Sequence, residues 1–577
     1  MNMKTYAFRT VVVGSGCAGL NAADQLYLSG ETDFALVTEN MQSGTSRNTG
    51  SDKQTYYKLS LAGDEGDSVG EMAAALACPD VHGDTALCEA ANSAPCFLRL
   101  AGMGIPFPTN EFGEYVGYQT DHDTRLRATS AGPLTSKLMT EALEKSARDH
   151  GVQVLDHLHI CRILTDAEGV CGVLGLDTEK REWVHIRCAH VMLCTGGPAH
   201  IYRDRVYPES QFGSSGMAFA AGAAGANLHC WQYGLASVKF RWNVSGSYQQ
   251  CVPRYVSKDE NGIERDFLTE ALGAKEALNR TFLKGYQWPF DERKVNGSSR
   301  VDLLVKAETD KGRRVYMDFT RDPIGWGAEM LSDEAKNYLS NCDALIDTPI
   351  KRLLRINPPA IGLYREHGID LRREMLEVRV CAQHHNGGIA VDADWQTEIP
   401  GLYACGEAAG TFGKCRPGGT ALNSTQVGSM RAARHIARVS KRTVRECAEP
   451  DLPLLPTGDA AALTAYYQGQ MTRAASFDRK KTGMERLLTQ VNAQLNQTAA
   501  ADRNDPQLID RLRLHDLLLC QREVLSAMLA DAEAPSDIGV LRTQNGRSGR
   551  VPARPIPTRD QWFERVWRQY RAQNGEE

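Results

Sequence analysis

Residues 10–19, TVVVGSGCAG, constrain this chain more than any other stretch. A short β-branched run ends in Gly14, Gly16 and Gly19, and the alanine-rich segment behind them has a helical pattern. The glycines therefore fall where a strand turns into a helix. Gly14 makes the tight turn, Gly16 admits a pyrophosphate to the backbone, and Gly19 lets helix and strand pack closely; Ser15 and Ala18 share that turn. The next strand, DFALVTEN, ends about twenty residues beyond the last glycine, where Glu39 is placed to accept from a ribose hydroxyl. Thr38 competes for that position, because strand ends slip by a residue in such readings. The pattern predicts a dinucleotide site on a doubly wound α/β sheet.

Two later segments read as further strands of the same sheet. AHVMLCTGG ends at Thr195, Gly196 and Gly197, and EIPGLYACGE ends at Gly406 and Glu407. Strands that end in glycine and a polar residue suit the crevice edge of such a sheet. Between them lies a charge-rich, less periodic region with its own strand-like RRVYMDF. The expected organisation is a discontinuous Rossmann-like domain, residues 1–238 and 352–440, an inserted α+β capping unit, residues 239–351, and a helical C-terminal region, residues 441–577. HDLLLCQREVLSAMLADA reads as an amphipathic helix of that last region, and the Pro- and Arg-rich tail behind it reads as extended over the surface.

The bulk properties exclude several classes. At 577 residues the chain exceeds one hydrophobic core. No apolar run is long enough to span a bilayer, and a net charge of -5 gives no reason to expect nucleic acid or anionic lipid as a partner. The amino-terminal residues enter a strand at once, without an apolar signal region, so a cytoplasmic protein is expected. The 16 cysteines are scattered, with no CxxC or other metal-ligand spacing. No metal site, haem or internal iron–sulfur cluster is implied, and electrons would have to arrive from elsewhere.

In GKCRPGGTALNSTQVGSMRAARHIA, residues 413–437, an arginine precedes a Pro-Gly-Gly turn and a helix. The turn allows something bulky close to the backbone, and the helix offers free N–H groups and a partial positive charge. Arg416 stands beside it with a planar fork suited to a carboxylate or phosphate. On the residues alone, a solvated arginine on a turn accounts for the stretch equally well.

The order of VVVGSGCAGLNAA, CTGG, FGSSGMAFAAGAAGANL, HHNGGIAVDADWQTEIPGLYACGEAAG and RPGGTALNSTQVGSMRAA resembles the flavoprotein subunit family of fumarate reductase and succinate dehydrogenase, which includes L-aspartate oxidase. The likeness covers roughly residues 8–440. It implies FAD, with the Gly-rich turn and helix (Gly418, Ala421, Leu422) against the flavin, Glu407 on the ribityl chain or ribose, and Ser46, Arg47 and Asn48 lining the ring. It also implies that Arg416 binds a substrate carboxylate. Departures accompany it. Members that oxidise succinate attach FAD covalently through a histidine after an Arg-Ser pair; the matching SGTSRNTGSDK has none, so FAD is expected to be non-covalent. The family's QFHPT becomes Gln232-Tyr233-Gly234-Leu235-Ala236, without the histidine, leaving Tyr233 as core packing or a replacement ligand. Gln383 replaces a second histidine, with His384 or His385 as the substitute. The cap arginine that donates a proton has one counterpart, Arg300, in GSSRVDLLV.

The resemblance implies reduction of a carbon–carbon double bond conjugated to a carboxylate or carbonyl, by hydride transfer from flavin N5. The substrate would be a small unsaturated acid, and a separate iron–sulfur, flavin or NAD(P)H-linked protein would be the electron donor. The missing histidines put fumarate itself in question and make a monocarboxylate or bulkier enoate at least an equal expectation. Two other readings stay open: an oxidase or dehydrogenase of an amino or organic acid, and a non-catalytic subunit that relays electrons.

Overall fold

The computed structural model describes residues 3–63, 66–120 and 123–562. Five parallel strands form the sheet that organises the rest, in the order Leu402–Ala404, His190–Leu193, Thr10–Val13, Phe34–Val37 and Gln153–Leu155. TVVV and FALV are buried along their whole length, as uninterrupted apolar strands must be when helices cover both faces. Because all five run the same way, Gly14, Thr38, Cys194 and Cys405 leave the sheet along one edge.

Helix Thr420–Arg438 packs on helix Cys17–Leu28 behind that edge, and polar bonds fix its position. Asn21 Nδ2 donates to Gln426 O at 3.0 Å and to Ser429 Oγ at 2.7 Å. Asn423 Nδ2 donates to Glu89 Oε2 at 2.8 Å, and Asn423 Oδ1 accepts from Tyr56 OH at 3.2 Å. Buried amides that each find partners specify one packing where apolar side chains would allow several.

A second, antiparallel sheet joins Trp231–Ser237, Leu376–His385, Arg314–Asp318, Arg254–Lys258 and Glu264–Arg265. It carries its own core, which draws on residues from Leu235 to Val378 and so runs past the 239–351 expected for the inserted unit. A β-bulge interrupts its first pair: Gln232 faces His384, Tyr233 faces Ala382, and Gln383 is the extra residue. Successive strand residues normally face opposite ways, and a bulge re-aims them.

Two C-terminal expectations change. Helix Leu508–Glu533 is buried around most of its circumference, because other elements cover the face that solvent would have taken. The Pro- and Arg-rich tail, which starts at Gly546, opens as the second strand of a hairpin, Val540–Gln544 with Arg547–Val551, turning at Asn545-Gly546 with both residues at positive φ. The hairpin adds to Gly225–Ala226 and Gly388–Ile389 in a small sheet. The chain then crosses the start of helix Gly83–Gly102, where Gly83 N donates to Arg554 O at 2.7 Å. Residues 563–577 of that tail lie outside the described residues. Among the described residues no helix is long and apolar enough to cross a membrane.

Burial holds the Glu89 carboxyl up at about 8, so at neutral pH it keeps its proton. An acid raised in the folded state stabilises fully below its unfolded pKa and loses that contribution as pH rises through the folded value. Glu89→Gln should therefore match the wild type in Tm near pH 5 and exceed it by several degrees above about pH 8. Thermal unfolding across that range is the measurement.

Candidate active site

A cleft of about 300 Å³ runs along the C-terminal edge of the parallel sheet and continues to the antiparallel one. At its centre Gly14 has φ +109°, and a Cβ there would lie 2.5 Å from Cys194 O. A Cβ on Gly19 would lie 1.7 Å from Gly14 O, so helix Cys17–Leu28 sits against the strand as closely as a backbone permits. Gly19 thus packs behind the cleft, while Gly14, Ser15, Gly16 and Ala18 line it. The hydroxyls of Thr45 and Thr195, both at the lining, are buried without a hydrogen-bond partner. Orphaned hydroxyls beside a helix N-terminus and a bare glycine backbone suit a dinucleotide's phosphates and ribityl oxygens.

At one end Thr38 and Glu39 both line the cleft. Thr38 Oγ1 lies 2.9 Å from Ser15 Oγ. Glu39 Oε1 accepts from His159 Nδ1 at 2.9 Å and from Arg513 Nη2 at 3.0 Å. Burial works against its charge, yet His159 and Arg513 hold the carboxyl down at about 2. Arg513 comes from helix Leu508–Glu533 and stacks 3.8 Å over the Phe212 ring. No sequence signal linked that helix to this end of the cleft.

The remaining predicted contacts divide. Ser46, Thr195, Gly196, Glu407, Ala421 and Leu422 line the cleft. Arg47 turns aside to pair with Glu144, and Asn48 Nδ2 donates to Gln42 O at 2.8 Å and to Gly44 O at 3.0 Å. Gly197 is covered by Glu407, whose Oε1 a Cβ would meet at 2.6 Å, and Gly418 faces Thr120. These four do not line the cleft.

Arg416 lies at the other end, 6% exposed. Its Nε donates to Gln232 Oε1 and Asn386 Oδ1, both at 3.1 Å; Nη1 donates to Thr420 Oγ1 at 2.9 Å, and Nη2 to Gln232 Oε1. Every one of these partners is neutral. A guanidinium carries five N–H groups, so two remain, one on each terminal nitrogen. Burial pulls the group down to about 10, and it stays charged at neutral pH. Glu407 supplies the nearest opposing carboxylate field without touching it. Glu407 itself is pushed up to about 7 by burial, while accepting from His385 N at 2.9 Å and from Tyr207 OH.

The two adjacent histidines have different places. His384 lines the cleft beside Gln383, because the bulge turns both inward. Its Nδ1 lies 3.0 Å from Asn386 Oδ1, whose amide nitrogen is committed to Gly413 O. Nδ1 therefore carries the proton and Nε2 keeps a lone pair, buried and unpartnered. Burial and the Arg416 charge hold this ring well below the usual imidazole range, so it is neutral. His385 does not line the cleft: its ring stacks on Trp231 at 4.2 Å and Nε2 donates to Leu228 O at 3.1 Å. Tyr233 is buried, its OH 2.9 Å from Tyr202 OH and away from the cleft. Arg300 is exposed in the first turn of helix Ser299–Asp310 and does not reach the cleft lining. The insertion contributes Trp288 instead. Gln232, Thr420 and Asn386 are the positions that sequence reasoning left without a role, although all three lie inside quoted motifs.

The family described as FAD binding domain matches residues 9–422. The L-aspartate oxidase of Xylella fastidiosa is 27% identical over 451 residues, covering 75% of each chain. A fumarate reductase (CoM/CoB) chain of Methanothermobacter marburgensis is 24% identical over 476 residues, 78% of this chain and 77% of that one. Among solved structures, Mycobacterium smegmatis Sdh1 superposes with a TM-score of 0.72 at 18% identity, covering 98% of this chain and 97% of that chain. For E. coli quinol fumarate reductase FrdA the TM-score is 0.68 at 17% identity, covering 96% and 98%. These two structural likenesses establish the shared fold.

Gly19→Ala tests the close packing beneath the cleft. The added methyl has no space against Gly14 O, so helix and strand must part. The variant should lose both thermal stability and cofactor content per chain, measured by melting and by absorbance of the acid extract.

Proposed function

The chain belongs to the FAD binding domain family, and on that premise we propose that this FAD-dependent oxidoreductase reduces a carbon–carbon double bond conjugated to a carboxylate. The observation that carries the reading is Arg416: a buried guanidinium ligated only by neutral groups, with two N–H groups left at the cleft. A buried charge without a counter-ion is costly, and a substrate carboxylate would supply one through a bidentate pair. FAD, when bound, supplies the hydride acceptor and donor of the reaction.

The chain's own residues position and stabilise. Arg416 holds the carboxylate and stabilises the negative charge that grows on it as the conjugated bond accepts electrons. Gln232 and Asn386 fix the fork's plane, and Thr420, at the first position of helix Thr420–Arg438, ties it to the element that faces the cofactor. His384, neutral, offers Nε2 as an acceptor. The insertion brings Trp288 to this end of the cleft, an apolar surface beside the developing charge. Proton delivery falls to groups at the cleft, and Arg300 has no part in it. Electrons would come from a separate iron–sulfur, flavin or NAD(P)H-linked protein.

One observation favours a second reading. The His384 Nε2 lone pair could accept from the amine or hydroxyl of a saturated acid, so the site could run towards oxidation, as the name of the L-aspartate oxidase relative describes for that protein. Anaerobic reoxidation by enoates against peroxide formation with amino or hydroxy acids separates the two.

Four outcomes are expected. Arg416→Ala should retain FAD while turnover with the best enoate falls about 30- to 1000-fold, the equivalent of ~2–4 kcal/mol for a desolvated, charge-assisted pair. Arg416→Lys should recover little, and Arg300→Gln should stay within about twofold of wild type. Single-turnover reoxidation with FAD stoichiometry measures all three. Acid precipitation should also release intact FAD and leave a colourless pellet, since the Ser46–Asn48 stretch beside the cleft offers no histidine for attachment.

A further inference from the structure

The two positions where family histidines are replaced meet in space. Gln383 Nε2 donates to Gly234 O at 2.8 Å. Above Gly234 stands Trp288: a Cβ at Gly234 would lie 3.1 Å from indole Cε2 and Nε1 and 3.3 Å from Cζ2. A side chain at 234 would thus press on the ring, which would have to give by a few tenths of an ångström, and glycine leaves the indole its room. The backbone that carries the ring is anchored on both sides of it. Lys284, in a buried pair with Asp302, donates to Trp288 O at 2.7 Å. Phe290 N donates to Tyr233 O at 2.7 Å, and the Phe290 ring lies 4.5 Å from that of Phe477. Indole Nε1 is buried without a partner.

Charge at this end is equally one-sided. Among the described residues lining the cleft, Arg416 is the one Arg or Lys. One carboxylate satisfies it. A second carboxylate on the same substrate would rest against Trp288, Gln383 and neutral His384, desolvated and without a cation, at a cost that an apolar group in the same place avoids.

We infer that Trp288, seated over Gly234, is a specificity-determining wall that selects a monocarboxylate with a flat apolar body, an aryl or extended conjugated enoate, over a dicarboxylate. The inference rests on the reading of Arg416 as the carboxylate site. The planar ring offers a stacking face to the substrate body, and its unpartnered N–H would serve a carbonyl or ring acceptor on the same body.

The test uses the holoenzyme with saturated acids, the products of the corresponding reductions, held anaerobically without an electron acceptor so that no net turnover occurs: 3-phenylpropanoate, butanoate and succinate. Flavin difference spectra and tryptophan fluorescence read their binding, and anaerobic reoxidation by cinnamate and fumarate is measured alongside. We expect 3-phenylpropanoate to bind at least about tenfold more tightly than succinate, the scale of one good aromatic contact plus its buried area. Trp288→Ala should remove about that preference and change butanoate binding less than about twofold. Trp288→Phe, which keeps a plane, and Gly234→Ala, which pushes the ring, cover the case in which Trp288→Ala fails to fold. Phe should hold 3-phenylpropanoate better than Ala does, and Gly234→Ala should weaken it. Succinate binding as tightly as 3-phenylpropanoate, or Trp288 and Gly234 variants that leave 3-phenylpropanoate unaffected, would overturn the inference. If the binding preference holds while neither enoate reoxidises the protein, the inference stands and the reductase reading fails.

Discussion

Arg416 is the point on which the arrangement turns, because a buried guanidinium dictates what surrounds it. Three separate elements supply its neutral ligands: Gln232 from the antiparallel sheet, Asn386 from just past the bulged strand, and Thr420 from the helix behind the parallel sheet. Each could have been a carboxylate, which would have neutralised the charge and closed the fork to any ligand. Amides and a hydroxyl satisfy the donors geometrically and leave the charge without a contacting counter-ion, Glu407 acting on it only from a distance. The packing of Thr420–Arg438 through Asn21 and Asn423 then acquires a purpose: a helix free to slide would take Thr420 away from the fork.

The two sheets have complementary tasks. The parallel one gathers Gly14, Thr38, Thr195 and Glu407 on a single edge, since parallel strands end on the same side. The antiparallel one meets that edge with a bulge, which turns Gln383 and His384 inward together and leaves His385 to brace Glu407 from behind. The same bulge sets Gln232 opposite His384. One inserted residue therefore decides which of two neighbouring histidines faces a ligand.

Much of this was legible in the sequence, and what escaped did so for identifiable reasons. The strand–turn–helix with Gly14, Gly16 and Gly19 is local, so three glycines at fixed spacing sufficed to read the parallel sheet's edge. The strands ending at Gly196 and Gly406 were legible for the same reason. Arg416 drew notice only through its Pro-Gly-Gly context, and nothing local indicates that Asn386, thirty residues earlier, bonds it. The bulge is a pairing property and has no signature in one strand alone. Trp288 sits in a charge-rich stretch tied through its backbone carbonyl to Lys284 of the buried Lys284–Asp302 pair, a contact between residues that no local pattern marks, whereas Arg300, the residue with a motif-like setting, is the one that solvent takes. In the tail, Asn545-Gly546 was a hairpin signal that the surrounding prolines and arginines obscured.

The central claim is that Arg416 recognises a carboxylate, and a charge-deletion cycle on the ligand tests it most directly. A saturated carboxylic acid and its isosteric primary amide are titrated into the holoenzyme and into Arg416→Ala, with the flavin difference spectrum as readout. The account predicts that the wild type prefers the acid by about 30-fold or more and that Arg416→Ala binds acid and amide alike, a coupling of roughly 2 kcal/mol. Equal discrimination between acid and amide in both proteins would contradict it.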